Sequence, residues 1–267
     1  MKNIKLTLSF DGKGFSGFQT QKNGKTVQAE IENALSNLLS EKISVTGVSR
    51  TDAGVHAAAY VLNFKTNRAI LIPNVKKMLN NYFAKNKNNI ALPIGEIYIK
   101  KAEKVNLDFN ARYDAIDKTY LYRIGIEGIH YAFESDYIFH INKKLFVNKM
   151  KEAAKYLIGE HDFSSFKNSD GSDISPVKRI HDIKIRKAAM SSEFHTLIYP
   201  KKNVLEILIR GNGFLYNMVR IIVGTLIEIG ANKRESEEMK EILNAKNRQR
   251  AGFTAPACGL YLYDVSY

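Results

Sequence analysis

VSRTDAGVHA, running from Val48 to Ala57, sets a single carboxylate, Asp52, between an Arg-Thr pair and an Ala-Gly pair. On its N-terminal side Ile43 and Val45 alternate with polar residues. On its C-terminal side Tyr60, Leu62 and Phe64 alternate with Val61, Asn63 and Lys65. Alternation of this kind marks strands, so the stretch is a loop joining two strands. Loops held on a rigid scaffold commonly carry catalytic groups.

The same alternation recurs outward in both directions. Ile4 to Phe10 reads as a first strand, the region Glu96 to Lys100 as another, and KTYLYRIGI (Lys118 to Ile126) as a third with Tyr120, Tyr122, Ile124 and Ile126 on one face. Further strands are expected at Ile180–Arg186, Phe194–Tyr199, Val204–Arg210 and in the closing GLYLYDVSY. Between them lie helical periods. TVQAEIENALSNLLS starts at Thr26, a residue suited to N-capping, and spaces Val27, Ile31, Leu35, Leu38 and Leu39 along one face. A helix is expected from about 74 to 83. LFVNKMKEAAKYLIG predicts an amphipathic helix closed by Gly159. FLYNMVRIIVGTLIEIG is apolar nearly all round up to Gly230, as a buried helix should be, and a short helix follows near Glu235–Leu243. Antiparallel-looking strands with interspersed helices make the class α+β, with two similar mixed domains divided as 1–110, carrying the aspartate loop, and 111–267, carrying the arginine helix.

Composition narrows the partners. The 267 residues carry 40 Lys and Arg against 27 Asp and Glu, a net charge of +13. Such an excess favours a polyanion, nucleic acid before an acidic membrane surface. One cysteine, Cys258, excludes an internal disulfide and a cysteine-cluster zinc site. The six histidines, His56, His130, His140, His161, His181 and His195, show no metal-binding spacing, so no metal is expected. The start, MKNIKLTLSFDG, reads as a strand and not as a signal peptide. No apolar run is long enough to span a bilayer, and a cytoplasmic location is expected. DGKGFSG (Asp11 to Gly17) is formally a dinucleotide-binding glycine pattern. It lacks the helix that must begin within such a motif; a glycine-rich turn beside a ligand backbone is expected instead.

Two charges ask for partners. Arg220 lies in NMVRIIVG among apolar residues. It either snorkels to the surface or forms a buried or half-buried ion pair, since an unpaired buried charge is costly. Asp52 is a candidate partner. An aspartate so paired stays ionised and can act as a nucleophile; the other reading is an Asx-type turn capping local amides. Tyr120 offers a ring for stacking a base and a hydroxyl for proton transfer, or is a core tyrosine.

Together these residues resemble a known family. SRTDAGVHA is similar to the signature of the tRNA pseudouridine synthase A family. So, in the same order, are SGFQ (16–19), TVQAEIENAL (26–35), FNARYDAIDKTYLY (109–122), GEHDFSSF (159–166), NGFLYNMVRIIVGTL (212–226) and TAPACGLYL (254–262). The resemblance implies the pseudouridine synthase fold and an enzyme that converts uridine to pseudouridine in tRNA without a cofactor. Asp52 would be the nucleophile, attacking ribose or base. Tyr120 would pack on the uracil, Arg220 would hold Asp52 ionised, and Arg50 would help displace the target nucleotide from its stack. It further implies a homodimer acting on the anticodon arm at positions 38 to 40. Lys178, Arg179, Lys201, Lys202, Arg248 and Arg250 are then candidate phosphate contacts. Phe18, Ser49, Asn110 and Lys178 depart from the residues often found in the family, which leaves open a paralogue acting on another RNA site. A non-catalytic RNA-binding protein is the alternative from a different class.

Overall fold

The computed structural model describes residues 1–84, 95–126, 132–169, 174–188 and 204–267. Among them the chain forms two compact units, Met1–Ile116 with Tyr261–Tyr267, and Asp117–Leu260. The sequence division at 110/111 thus differs from the compact units, which part at 116/117 and take the last seven residues into the first.

In the first unit β1 (Lys2–Phe10) pairs antiparallel with both β3 (His56–Thr66) and β4 (Ile97–Val105). The short β2 (Val45–Gly47) lies antiparallel to the far end of β3. The last strand, β10 (Leu260–Ser266), runs parallel to its start, Tyr261 opposite His56. Helix α1 (Val27–Leu39) is capped as its sequence predicts, Thr26 accepting from the Ala29 amide at 3.3 Å. It buries Val27, Ile31, Ala34, Leu35 and Leu39, each worth roughly 1.5–3 kcal/mol for the larger side chains. Helix α2 (Ile72–Phe83) packs on β4 and α1.

The polar positions of β3 do not all face water: Lys65 is exposed, whereas His56, Asn63 and Thr66 are buried. Asn63 is buried, donating to Asn3 Oδ1 at 3.0 Å and accepting from the Ala111 amide at 2.8 Å. Asn3 donates to the carbonyls of Asn106 and Phe109, both at 2.9 Å. Buried amides must find partners, and this pair finds them in the backbone that leads out of β4.

In the second unit β9 (Val204–Gly211) lies between β5 (Asp117–Ile126) and β8 (Val177–Lys187), antiparallel to both. β7 (Gly159–Asp162) adds antiparallel to β8, and the short β6 (Phe139–Ile141) parallel to β5. Helix α3 (Val147–Lys155) packs on α4 (Met218–Gly230) and α5 (Glu238–Ala245). Two helix ends differ from the sequence reading. α3 stops at Lys155, capped by Tyr156, and Gly159, at φ +115°, opens β7 instead of closing the helix. α4 starts at Met218, because Asn217 takes the left-handed conformation at φ +61°, which asparagine tolerates. The expected strand at 194–199 lies outside the described residues, as do His130 and His195. The α+β class holds in both units.

Candidate active site

The Asp52 loop is anchored at each end by a buried apolar side chain, Val48 and Val55. Between them its backbone is clamped by the glycine-rich segment. The Phe18 amide donates to the Thr51 carbonyl at 3.1 Å, and the Gly54 amide to the Phe15 carbonyl at 3.3 Å. Such close approach dictates glycine in DGKGFSG. A Cβ on Gly12 would fall 2.1 Å from the Val55 carbonyl oxygen, and one on Gly17, at φ +99°, 2.7 Å from that of Thr51. Gly12 and Gly17 therefore pack against the backbone of the Asp52 loop, whereas Gly14 meets the Glu96 side chain. The segment also blocks the start of α1, where the Val27 and Gln28 amides donate to the carbonyls of Gly17 and Phe18. Those amides are the groups a phosphate would need.

The loop closes on itself through the Val55 amide and the Asp52 carbonyl at 3.2 Å, with Gly54 at φ +76°. Asp52 is left half-buried, and Arg50 and Ala53 exposed. Beside the loop, buried His56 accepts from the Gly12 amide through Nδ1 at 3.0 Å and stacks on Tyr261 with ring centroids 4.8 Å apart.

Tyr120 and Arg220 belong to the second unit. Tyr120 stands on β5 opposite Ile209, its ring buried edge-to-face against Phe214 at 5.1 Å. Arg220 is not in mid-helix, as the sequence suggests, but in the first turn of α4, and is half-buried. Its Nε donates to the Ala255 carbonyl at 2.7 Å and its Nη1 to Asn217 Oδ1 at 2.8 Å, while the Ala255 amide returns a bond to the Arg220 carbonyl at 3.1 Å. A cation at a helix N-terminus opposes the helix dipole, so these acceptors offset a real cost. The 254–259 segment is held again by fully buried Tyr122, whose hydroxyl donates to the Pro256 carbonyl at 2.7 Å. Burial, with a smaller contribution from Cys258, pushes that phenol far above its ordinary range. Tyr122 thus serves as a structural donor to this segment.

A family model described as tRNA pseudouridine synthase matches residues 7–114 and 153–267. The chain belongs to this family. It is 41% identical to tRNA pseudouridine synthase A 2 of Clostridium tetani over 268 residues, covering 100% of this chain and 99% of the relative. It is 40% identical to tRNA pseudouridine synthase A 2 of Clostridium perfringens and to tRNA pseudouridine synthase A of Acetivibrio thermocellus, each over 267 residues covering 100% of both chains.

Within this pseudouridine synthase the candidate phosphate contacts divide. Arg248 is spent on the fold: Nε donates to Asn168 at 2.9 Å, Nη1 to the Gly252 carbonyl at 2.9 Å and Nη2 to Thr254 at 3.1 Å. Burial lowers the affinity of Lys178 for its proton. Arg179, paired with Glu160 at 3.1 Å, and Arg250, at 4.0 Å from Glu241, are exposed. Lys201 and Lys202 lie outside the described residues. Among the described residues no three His, Cys, Asp or Glu side chains gather as metal ligands, and no helix is long and apolar enough to cross a membrane. Sequence reasoning missed Phe214 and the Arg220 partners Asn217 and Ala255. Only the Asn217–Arg220 spacing of three signals the first of these partners in advance.

Proposed function

We propose that this protein isomerises uridine to pseudouridine in tRNA with Asp52 as nucleophile. The N1–C1′ glycosidic bond breaks, the uracil turns, and a C5–C1′ bond forms. The C5 proton leaves and N1 takes up a proton. Substrate and product have the same atoms and oxidation state, so the chemistry needs no cofactor. The observation that carries the reading is the Asp52 loop itself: a half-buried carboxylate on a backbone clamped from two sides, in a chain matched along its length by pseudouridine synthases.

Arg220 is the proposed ionic partner of Asp52. It occupies a helix N-terminus with two neutral acceptors on its guanidinium, an environment that favours a neighbouring anion. Tyr120, set edge-on to Phe214, is the proposed uracil-facing ring, and exposed Arg50 assists displacement of the nucleotide. The proposed target is the anticodon arm at positions 38 to 40, bound by a homodimer in the cytoplasm. The net charge of +13 suits so anionic a substrate.

The test is pseudouridine formation on purified tRNA by wild type and Asp52→Ala, with binding measured in parallel. Loss of turnover, on the order of 1,000-fold or more, with binding retained is expected. Turnover in the variant overturns the nucleophile assignment, and modification confined to another RNA moves the specificity and keeps the chemistry.

A further inference from the structure

We propose that the Tyr60 hydroxyl is a positioning group that sets the Arg50–Asp52 backbone for catalysis; this rests on Asp52 being the nucleophile. Tyr60 lies on β3, fully buried. Its hydroxyl donates to the Ser49 carbonyl, and the Ser49 amide points back at the same oxygen at 3.4 Å. One side chain thus holds both polar atoms of the residue that precedes Arg50.

The ring is fixed in turn. It stacks on Phe18 with centroids 4.4 Å apart and planes 23° from parallel, and packs against Phe10 at 5.5 Å. Phe18 is also the residue whose amide holds the Thr51 carbonyl at 3.1 Å. Ring and hydroxyl therefore join two grips, at 49 and at 51, that bracket Arg50 and abut Asp52. Gly47 keeps the space open: a Cβ there would fall 2.3 Å from the Tyr60 hydroxyl and 2.5 Å from the Phe18 ring.

Phenylalanine at position 60 would fill the same volume, so packing alone leaves the hydroxyl without a purpose. A buried hydroxyl is specified only by its hydrogen bonds, and here they go to the reactive loop. Misplacing a catalytic group by about 1 Å can cost on the order of 100-fold in rate.

The experiment compares Tyr60→Phe, Gly47→Ala and Phe10→Leu with wild type and Asp52→Ala. Single-turnover pseudouridine formation at saturating tRNA, the Kd for tRNA and the Tm are read for each. Tyr60→Phe is expected to slow the single-turnover step about 10- to 100-fold, with Kd unchanged and Tm close to wild type. Gly47→Ala, which displaces the hydroxyl and keeps the tyrosine, should slow the same step with Kd unchanged but at a lower Tm, because its Cβ also overlaps the Phe18 ring; the rate of its folded fraction serves if Tyr60→Phe fails to fold. Phe10→Leu loosens the ring packing and should lower Tm while sparing the rate of the folded fraction. A Tyr60→Phe rate equal to wild type, or one that falls only with Tm, overturns the positioning role. Inactive wild type overturns the proposed function and this inference with it; Asp52→Ala activity equal to wild type does the same.

Discussion

At the scale of single residues, Arg220 combines a place in the first turn of a helix with two neutral acceptors on its guanidinium. Methionine keeps much of its apolar stem but strands the Ala255 carbonyl and Asn217 side chain. Hydrogen bonds to charged groups contribute about 1.5–3 kcal/mol each at most, and relaxation at a half-buried site reduces that. Arg220→Met is expected to lose about 1–3 kcal/mol of stability and, in the proposed site, to lower kcat more than it raises KM. Lysine should not rescue it, because one ammonium cannot reproduce the planar fork. Denaturant melts with steady-state kinetics on tRNA check this, and a folded Met variant with wild-type kcat would remove Arg220 from the machinery. Asp162 shows a residue whose charge serves the fold. Burial alone would raise its pKa, but hydrogen bonds from the Ser164 amide at 2.9 Å and hydroxyl at 2.6 Å, with Lys246 at 3.2 Å, hold it below the ordinary range. A depressed folded pKa gives stability that is present above the unfolded value, about 3.9, and is lost as pH falls through the folded value. Asp162→Asn should therefore be less stable than wild type at pH 7, with the gap closing as both are melted at progressively lower pH below 4.

Within elements, the outcome turns on where another backbone crosses. Alanine for glycine in an open helix interior normally stabilises by about 1 kcal/mol. In α4 the sign should reverse at Gly224, because a Cβ there would fall 1.8 Å from the Phe253 carbonyl oxygen. The crossing strand of chain is pinned further by Thr225, which accepts from the Gly252 amide at 2.9 Å. Gly224→Ala is expected to cost about 2–3 kcal/mol and to shift Ala255 off Arg220; a rise in Tm would show that the crossing yields freely. Contacts of this kind mark the limit of what the sequence discloses. Strand alternation and helical spacing identified β1, α1, β3, β5, β9 and α4, because those elements bury one apolar set against a local partner. Apolar periodicity alone starts α4 four residues too early, because it does not register the left-handed conformation of Asn217. The glycine signal carries α3 too far, because Gly159 spends its positive φ on the entry to β7. Asn63 reads as a solvent-facing position, yet it is buried with Asn3 and satisfies backbone more than forty residues away. Among the candidate residues, Asp52, Arg50, Tyr120 and Arg220 are side chains whose chemistry is visible in their type and setting. The groups around them, the Phe18 amide and the Ala255 carbonyl, are backbone and carry no sequence signal.

For the whole molecule, the charge of +13 becomes a statement about how tRNA is held. Exposed ion pairs such as Arg179–Glu160 contribute little to stability, so their cations can turn to phosphate at small cost. Each phosphate neutralised releases counterions, and the logarithm of affinity falls linearly with that of salt. With about four phosphate contacts, Kd should rise about 50- to 150-fold between about 50 and 200 mM monovalent salt. The rate at saturating tRNA should change far less, because the proposed chemistry lies in a half-buried site. A single substitution separates phosphate contacts from internal ones. Arg179→Ala is expected to reduce the salt slope by about one if that side chain touches phosphate. Arg248→Ala should leave the slope intact and lower the Tm instead, since its three donors are already engaged with Asn168, Gly252 and Thr254. Filter binding across a salt series, with melts of the same variants, decides both. A Kd indifferent to salt would mean that the positive charge is not what holds the RNA, whereas a slope that collapses on losing Arg248 would mean that this guanidinium leaves its internal partners to reach the substrate.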